Sequence, residues 1–285
     1  DGSTGQGRLW QKTGEETSEL SAGINVRGRL NYGGGEFAEK NGQILFASKE
    51  GVLYRPFASG KPQPLTPVGS LAASPAIAPQ GDWAVCVLSE GEQDHLAAVS
   101  LQHNTQNTII YLASGADFHM DPVWSPDGNL IAWLEWDHPN LPFLGTRLML
   151  AAVERSAASI KLNNINQVAG GVDQPILQPA FSPDGRWLSW ISCEADRDRL
   201  VLLNLADMRE TNLADEKDRL IGIPAWLQGM RHYAWKADSQ GIVTILHKHG
   251  CARLAEIHLA DGSLTDIPTP GYTWFSQISI NHTGE

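Results

Sequence analysis

The chain has 285 residues, 42% hydrophobic and 19% charged, enough to bury a large core in one big all-β domain or two ordinary domains. Its 21 basic and 32 acidic residues leave a formal charge of -11, a field that repels phosphate backbones and excludes nucleic acid as a partner. No apolar run approaches the roughly 18 residues of a bilayer span, so no membrane partner is expected.

The chain begins at Asp1 without a methionine and stops at Glu285 just after a turn-like Asn281-His282-Thr283-Gly284, so both ends are expected to be cuts through a longer polypeptide. Gly2-Ser3-Thr4-Gly5-Gln6-Gly7 lacks the lysine and the preceding strand of a phosphate loop and reads as a flexible terminus. Leu9-Trp10-Gln11 and Glu19-Leu20 read as outer strands without an inner hairpin, and residues 1–32 form a first partial unit.

A repeat then runs along the chain. Phe37-Ala38-Glu39-Lys40-Asn41-Gly42 leads a unit over 33–70, and Ile77-Ala78-Pro79-Gln80-Gly81 leads one over 71–117. Trp124-Ser125-Pro126-Asp127-Gly128, leading 118–173, and Phe181-Ser182-Pro183-Asp184-Gly185, leading 174–222, carry the same core. Trp235-Lys236-Ala237-Asp238-Ser239 leads 223–272, and Ile280 stands in a last partial unit, 273–285. The leads at 37, 77, 124, 181, 235 and 280 are 40, 47, 57, 54 and 45 residues apart, the spacing of propeller blades. In the two full copies, at 124 and 181, an apolar strand end, a φ-fixing proline and an Asp-Gly that tolerates positive φ reverse the chain tightly into a second strand, and the looser copies read as the same inner hairpin. About two further strand-like runs follow, as in Arg199–Leu205 and Glu210–Leu213, giving four strands per unit. No stretch has sustained helical periodicity, and the predicted fold is an all-β propeller of four-stranded blades, five of them full. The last inner strand, Trp274–Ile280, is expected to share a closing blade with the first outer strands. A β-sandwich is disfavoured by the two matching cores, and a sialidase-type Asp box by the absence of a residue between Asp184 and Gly185.

Three cysteines, Cys86, Cys193 and Cys251, are an odd number in or beside apparent strands, which points to reduced thiols and a cytoplasmic location. Two stretches offer candidate contacts. The insertion from Glu135 to Thr146 sets Glu135, Trp136, Asp137, His138 and Asn140 on a Pro-rich loop. It reads either as a brace, with Asp137 orienting His138, or as a surface for a ligand or another domain. Arg27, Arg29 and Tyr32, beside Gly33-Gly34-Gly35, either grip a carboxylate at the channel or flank glycines needed for close packing. Of His247, His249 and His258 the first two share a strand face, yet no third ligand stands at short spacing, and neither metal nor other cofactor is expected.

Three segments resemble the propeller of the prolyl oligopeptidase family of serine peptidases, in its acylaminoacyl-peptidase and dipeptidyl-peptidase-like branch. Asn25-Val26-Arg27-Gly28-Arg29-Leu30-Asn31-Tyr32-Gly33-Gly34-Gly35-Glu36-Phe37 is similar to N-V-R-x-R-V-H-E-Y-G-G-G-x-[YF], one residue shorter and without the His and Glu. Trp133–Leu148, through Trp136-Asp137-His138-Pro139-Asn140, is similar to W-x-x-W-D-H-P-N-M-P-W-D-x-T-x-L. Pro224–Trp235 is similar to P-x-W-x-x-G-x-x-x-Y-x-[FW]. The resemblance implies about seven or eight blades capping an α/β-hydrolase domain and restricting it to short peptides. Its catalytic domain would carry a G-x-S-x-G elbow, a motif absent from this sequence, so no catalytic residue is expected here. The expected partners are that domain and a peptide substrate. The rival readings are a TolB-like interaction propeller without enzymatic activity and a metal-dependent polysaccharide lyase, which would need converging His and acidic ligands.

Overall fold

The structure, a computed structural model, describes residues 4–30, 33–56, 61–91, 93–102, 109–194, 197–216 and 221–281. Among them there is no helix. A hairpin of β1 (Trp10–Thr13) and β2 (Glu16–Glu19) precedes five four-stranded antiparallel sheets. The first is β3 (Phe37–Lys40), β4 (Gln43–Ala47), β5 (Leu53–Arg55) and β6 (Gln63–Pro64); the second is β7 (Leu71–Ile77), β8 (Trp83–Glu90), β9 (Gln93–Ser100) and β10 (Ile109–Ala113). The third is β11 (Phe118–Trp124), β12 (Leu130–Trp136), β13 (Arg147–Arg155) and β14 (Ile160–Gly170). The fourth is β15 (Ile176–Phe181), β16 (Trp187–Glu194), β17 (Arg197–Asn204) and β18 (Arg209–Glu216), and the fifth β19 (Tyr233–Trp235), β20 (Gly241–Lys248), β21 (Cys251–His258) and β22 (Leu264–Ile267). Strands neighbour in chain order within every sheet, and the innermost strands β3, β7, β11 and β15 meet in sequence. The fold is a β-propeller.

The turns between first and second strands carry the repeat. In the third sheet Ser125 Oγ donates to Asp127 Oδ1 at 2.6 Å, and that oxygen also accepts the Asn129 N–H at 3.0 Å. The fourth sheet repeats this at Ser182, Asp184 and Arg186, at 2.6 and 3.0 Å. Gly128 and Gly185 sit at φ 69° and 73°, which the absence of a Cβ allows. Adjacent turns are tied together: Gln80 Nε2 donates to Asp127 O at 2.7 Å, and the Asp184 N–H to Ser239 Oγ at 3.0 Å.

A blade is buried by its neighbours, so the core lies in layers between sheets. Leu45, Leu53, Ala72, Cys86 and Leu88 fill the first layer, and Trp83, Val85, Ile131 and Trp133 the second. Leu148, Leu188, Trp190, Leu200 and Ile242 belong to a continuous layer through the last three sheets.

The closing blade expected from the two chain ends is not formed among the described residues. β1 and β2 pair with each other, and residues 273–281 form no strand. That terminal segment instead lies along the fifth sheet, where Ala252 N donates to Thr273 O at 2.8 Å and Ile278 N to Arg231 O at 3.2 Å. Trp274 packs on the His247 ring, 5.5 Å between centroids.

Candidate functional site

Three of the innermost strands, β7, β11 and β15, are kinked within their length at a polar residue before proline. Ser74, Asp121 and Gln178 adopt φ of 49°, 50° and 48°, and the strand register shifts there in β7, β11 and β15. Each precedes a buried proline, Pro75, Pro122 or Pro179, which has no N–H to give to a ladder. The kinked residues line one cavity together, with Gly35 of the first sheet against Ser74.

Gln228, in the connection that leads into the fifth sheet, ties this belt together. It is 1% exposed. Its Oε1 accepts from Ser74 Oγ at 2.8 Å and from the Asp121 N–H at 3.4 Å, while its Nε2 donates to His119 O at 2.9 Å. Its N–H donates to Gly33 O at 2.9 Å, and the next residue's N–H, of Gly229, donates to Asp121 Oδ1 at 2.7 Å. A Cβ on Gly34 would overlap the Gln228 carbonyl, so the glycine run serves this crossing. One segment thus crosses the belt from the first sheet to the third, a bar of backbone and side chain over the innermost strands.

Beyond the bar lies a funnel of about 680 Å³. Pro75, Pro122 and Pro179 collar it, and Ile77, Trp124 and Phe181 continue its wall toward the turns. Asp121 and Arg231 are its charged residues at the belt. Burial pushes the Asp121 carboxyl up to about 6, partly offset by the Gly229 N–H, the Arg231 guanidinium and Ser74.

The loop after β12 is internally braced. Arg147 reaches Asp137 Oδ2 at 2.7 Å and Glu135 Oε1 at 3.2 Å, and Trp133 Nε1 donates to Glu135 Oε2 at 2.9 Å. Burial acts to raise the Asp137 pKa, but the Arg147 guanidinium and the Asp117 N–H hold it below the usual carboxylate value. Trp136 stacks on Phe118 at 5.2 Å, His138 meets the edge of Phe118 at 4.9 Å, and the Asn140 N–H donates to Asp137 O at 3.0 Å. The His138 backbone N–H donates to Asp117 Oδ2 at 2.9 Å, which ties the loop to the start of β11. Beyond the exposed His138 the loop's tip is apolar: Leu141 and Leu144 project beside Phe143, which packs on Trp226 at 4.4 Å.

Arg27 and Arg29 are exposed beside the first sheet, Arg29 Nη1 donating to Lys49 O at 3.3 Å; neither lines the funnel. Tyr32 lies outside the described residues. His258 stands opposite Gly241, at the other end of the hairpin from His247, and among the described residues no three His, Cys, Asp or Glu groups converge to hold a metal. Cys86, Cys193 and Cys251 are free thiols, and burial pushes Cys86 up to about 12. Gln228 and the three polar-Pro kinks were missed in the sequence, although Ser74, Asp121 and Gln178 each stand seven residues before a turn glycine.

No protein-family profile matches the sequence. A puromycin-hydrolysing peptidase of Mycobacterium tuberculosis superposes on 96% of this chain with a TM-score of 0.82 and 24% identity. A puromycin hydrolase superposes on 94% with a TM-score of 0.81 and 26% identity. This chain covers 44% of each of those chains. Dipeptidyl-peptidase 5 of Porphyromonas gingivalis is 27% identical over 168 residues, 57% of this chain and 22% of that protein. TolB of Agrobacterium tumefaciens, at 15% identity and a TM-score of 0.56, shares the fold alone. The chain therefore spans less than half the length of the peptidases it matches.

Proposed function

We propose that this chain, a propeller similar to those of prolyl-oligopeptidase-family peptidases, is the substrate-gating part of a serine peptidase and holds no catalytic triad itself. The observation that carries the reading is the crossing at Gln228: a buried side chain bonded to the second and third sheets obstructs one mouth of the ring and favours exclusion of folded protein. Likeness over 94–96% of this chain, but 44% of the peptidases, supports a hydrolase domain as its partner and a peptide as substrate. In this reading the apolar tip at Leu141 and Leu144, with the exposed His138, meets that domain, while Glu135, Trp136, Asp137 and Asn140 hold the loop in shape. Arg27 and Arg29 are left as exposed contacts outside the funnel.

A TolB-like interaction propeller is the second reading, favoured by the same apolar tip, which suits a separate protein equally well. Assay of the parent polypeptide with and without residues 1–285, on a short chromogenic peptide and on a folded protein, separates the two. The gate predicts cleavage of the short peptide only, attack on larger substrates once the propeller is removed, and no labelling of the 285-residue chain by a fluorophosphonate. Labelling of that chain on a serine, or a parent without hydrolytic activity, overturns it.

A further inference from the structure

Four charged residues line the funnel, Glu39 and Lys40 on the first strand of the first sheet and Asp121 and Arg231 at the belt, and the belt pair does not neutralise itself directly. Asp121 and Arg231 both line it, and the guanidinium is near enough to favour the ionised carboxylate, yet no ion pair joins them among the described residues. Asp121 spends one oxygen on the Gly229 N–H. An ionised carboxylate has about four acceptor positions, so it retains capacity for a cation. Arg231 is exposed, its backbone fixed on both sides by Gln277 Oε1 at 3.1 Å and by Ile278 N at 3.2 Å. Its guanidinium is thus carried on an anchored segment at the edge of an apolar cavity, a favourable setting for a carboxylate.

The walls are equally specific. Three prolines at matching places give a rigid collar, and Trp124 and Phe181 present aromatic surface. The Trp124 indole N–H is already satisfied by Ala76 O at 3.0 Å, which fixes the ring. A cavity of about 680 Å³ lies in the range of small-molecule sites, and the bar at Gln228 leaves the turn side for entry.

We propose that this funnel binds a short peptide with both ends free, its carboxylate on Arg231, its ammonium on Asp121 and an apolar side chain against the collar. This site goes beyond the gating role, because it needs no attached hydrolase. The probe is the dipeptide Ala-Phe, titrated calorimetrically into the 285-residue chain alongside N-acetyl-Ala-Phe and Ala-Phe-amide. Capping either end is expected to weaken binding about tenfold, the scale of one charge-assisted pair. Arg231→Gln should abolish the preference for the free carboxylate while retaining that for the free amine, and the isosteric Asp121→Asn should do the reverse. Arg231 is exposed, so its variant tests the site even where Asp121→Asn unsettles the belt. Equal binding of capped and free dipeptide, unchanged affinity in Arg231→Gln, or no binding at millimolar dipeptide overturns the proposal. An active parent peptidase with a non-binding funnel would refute this site alone, and a dipeptide-binding chain with no hydrolase would refute the gate alone.

Discussion

Gln228 concentrates more consequence than any other side chain of the channel, because its amide satisfies groups on two sheets at once. Truncation in Gln228→Ala would strand the Ser74 hydroxyl and the His119 carbonyl, both on buried residues. Stranded partners of this kind cost about 2–4 kcal/mol together. Thermal unfolding should fall by several degrees, and the barred mouth should open to small solutes, read as faster amide exchange at Asp121 and Gly229. A variant as stable as the parent, with unchanged exchange, would show that the crossing does not depend on the side chain. Gly34→Ala tests the same contact from the other side, since φ of 87° and the overlap with the Gln228 carbonyl both oppose a methyl group. It is expected to cost at least as much as Gln228→Ala. Nothing in the local sequence around Gln228 distinguishes it from a surface glutamine: its partners lie more than 100 residues away, and long-range pairing of this kind leaves no periodicity to read.

At the scale of the strand and turn, stability depends on how fully each copy of the repeat carries its side-chain bonds. Asp127 and Asp184 accept both a serine hydroxyl and a backbone N–H, whereas Asp238 accepts the Gln240 N–H at 2.9 Å and has Lys236 in place of the serine two residues before it. Asp184→Ala should therefore destabilise by about 1–2 kcal/mol and Asp238→Ala by less than about 1 kcal/mol, in line with local side-chain to backbone bonds elsewhere. Urea midpoints for the two variants, measured side by side, check the order, and a larger loss at Asp238 would contradict it. These turns were legible because their chemistry is local: proline, aspartate and glycine act within five residues. The kinks at Ser74, Asp121 and Gln178 were less so, since a left-handed residue before a proline has no single preferred identity, and only their common distance from the turn glycine marks them. The loop after β12 was legible as a unit, but not in its wiring. Arg147, absent from the expected contacts, neutralises Glu135 and Asp137 together. Arg147→Ala should loosen the loop and raise the Asp137 pKa, visible as carboxylate titration shifted upward by NMR.

For the molecule as a whole, layered burial between blades means that charge placed between sheets is felt by both neighbours. His119 is fully buried in the third sheet and receives Gln228 at its carbonyl; burial, then His95 and Arg147, pull its pKa down to about 4. His232, 5% exposed ahead of the fifth sheet, is pulled to about 4 by burial and then by His247. Both folded-state values lie below that of an unfolded histidine, near 6.5, so the unfolded chain binds protons first as pH falls. The stability each contributes is complete above about pH 6.5 and is lost progressively toward pH 4, with an upper bound of about 3 kcal/mol per histidine. Asp121 works in the opposite sense: its value, raised to about 6, makes the folded state take up a proton before the unfolded one and recovers stability of similar size as pH falls from about 6 toward 4. Two histidines outweigh one aspartate, and the propeller should be less stable at pH 4.5 than at pH 7.5 by about one histidine's share, roughly 3 kcal/mol at most. His232→Gln removes one titrating group and should flatten that dependence, while Asp121→Asn removes the compensation and should steepen it. Urea midpoints of the three proteins across this pH range decide the matter: parallel curves would mean that the acid response arises from dispersed surface carboxylates and not from groups held between the blades.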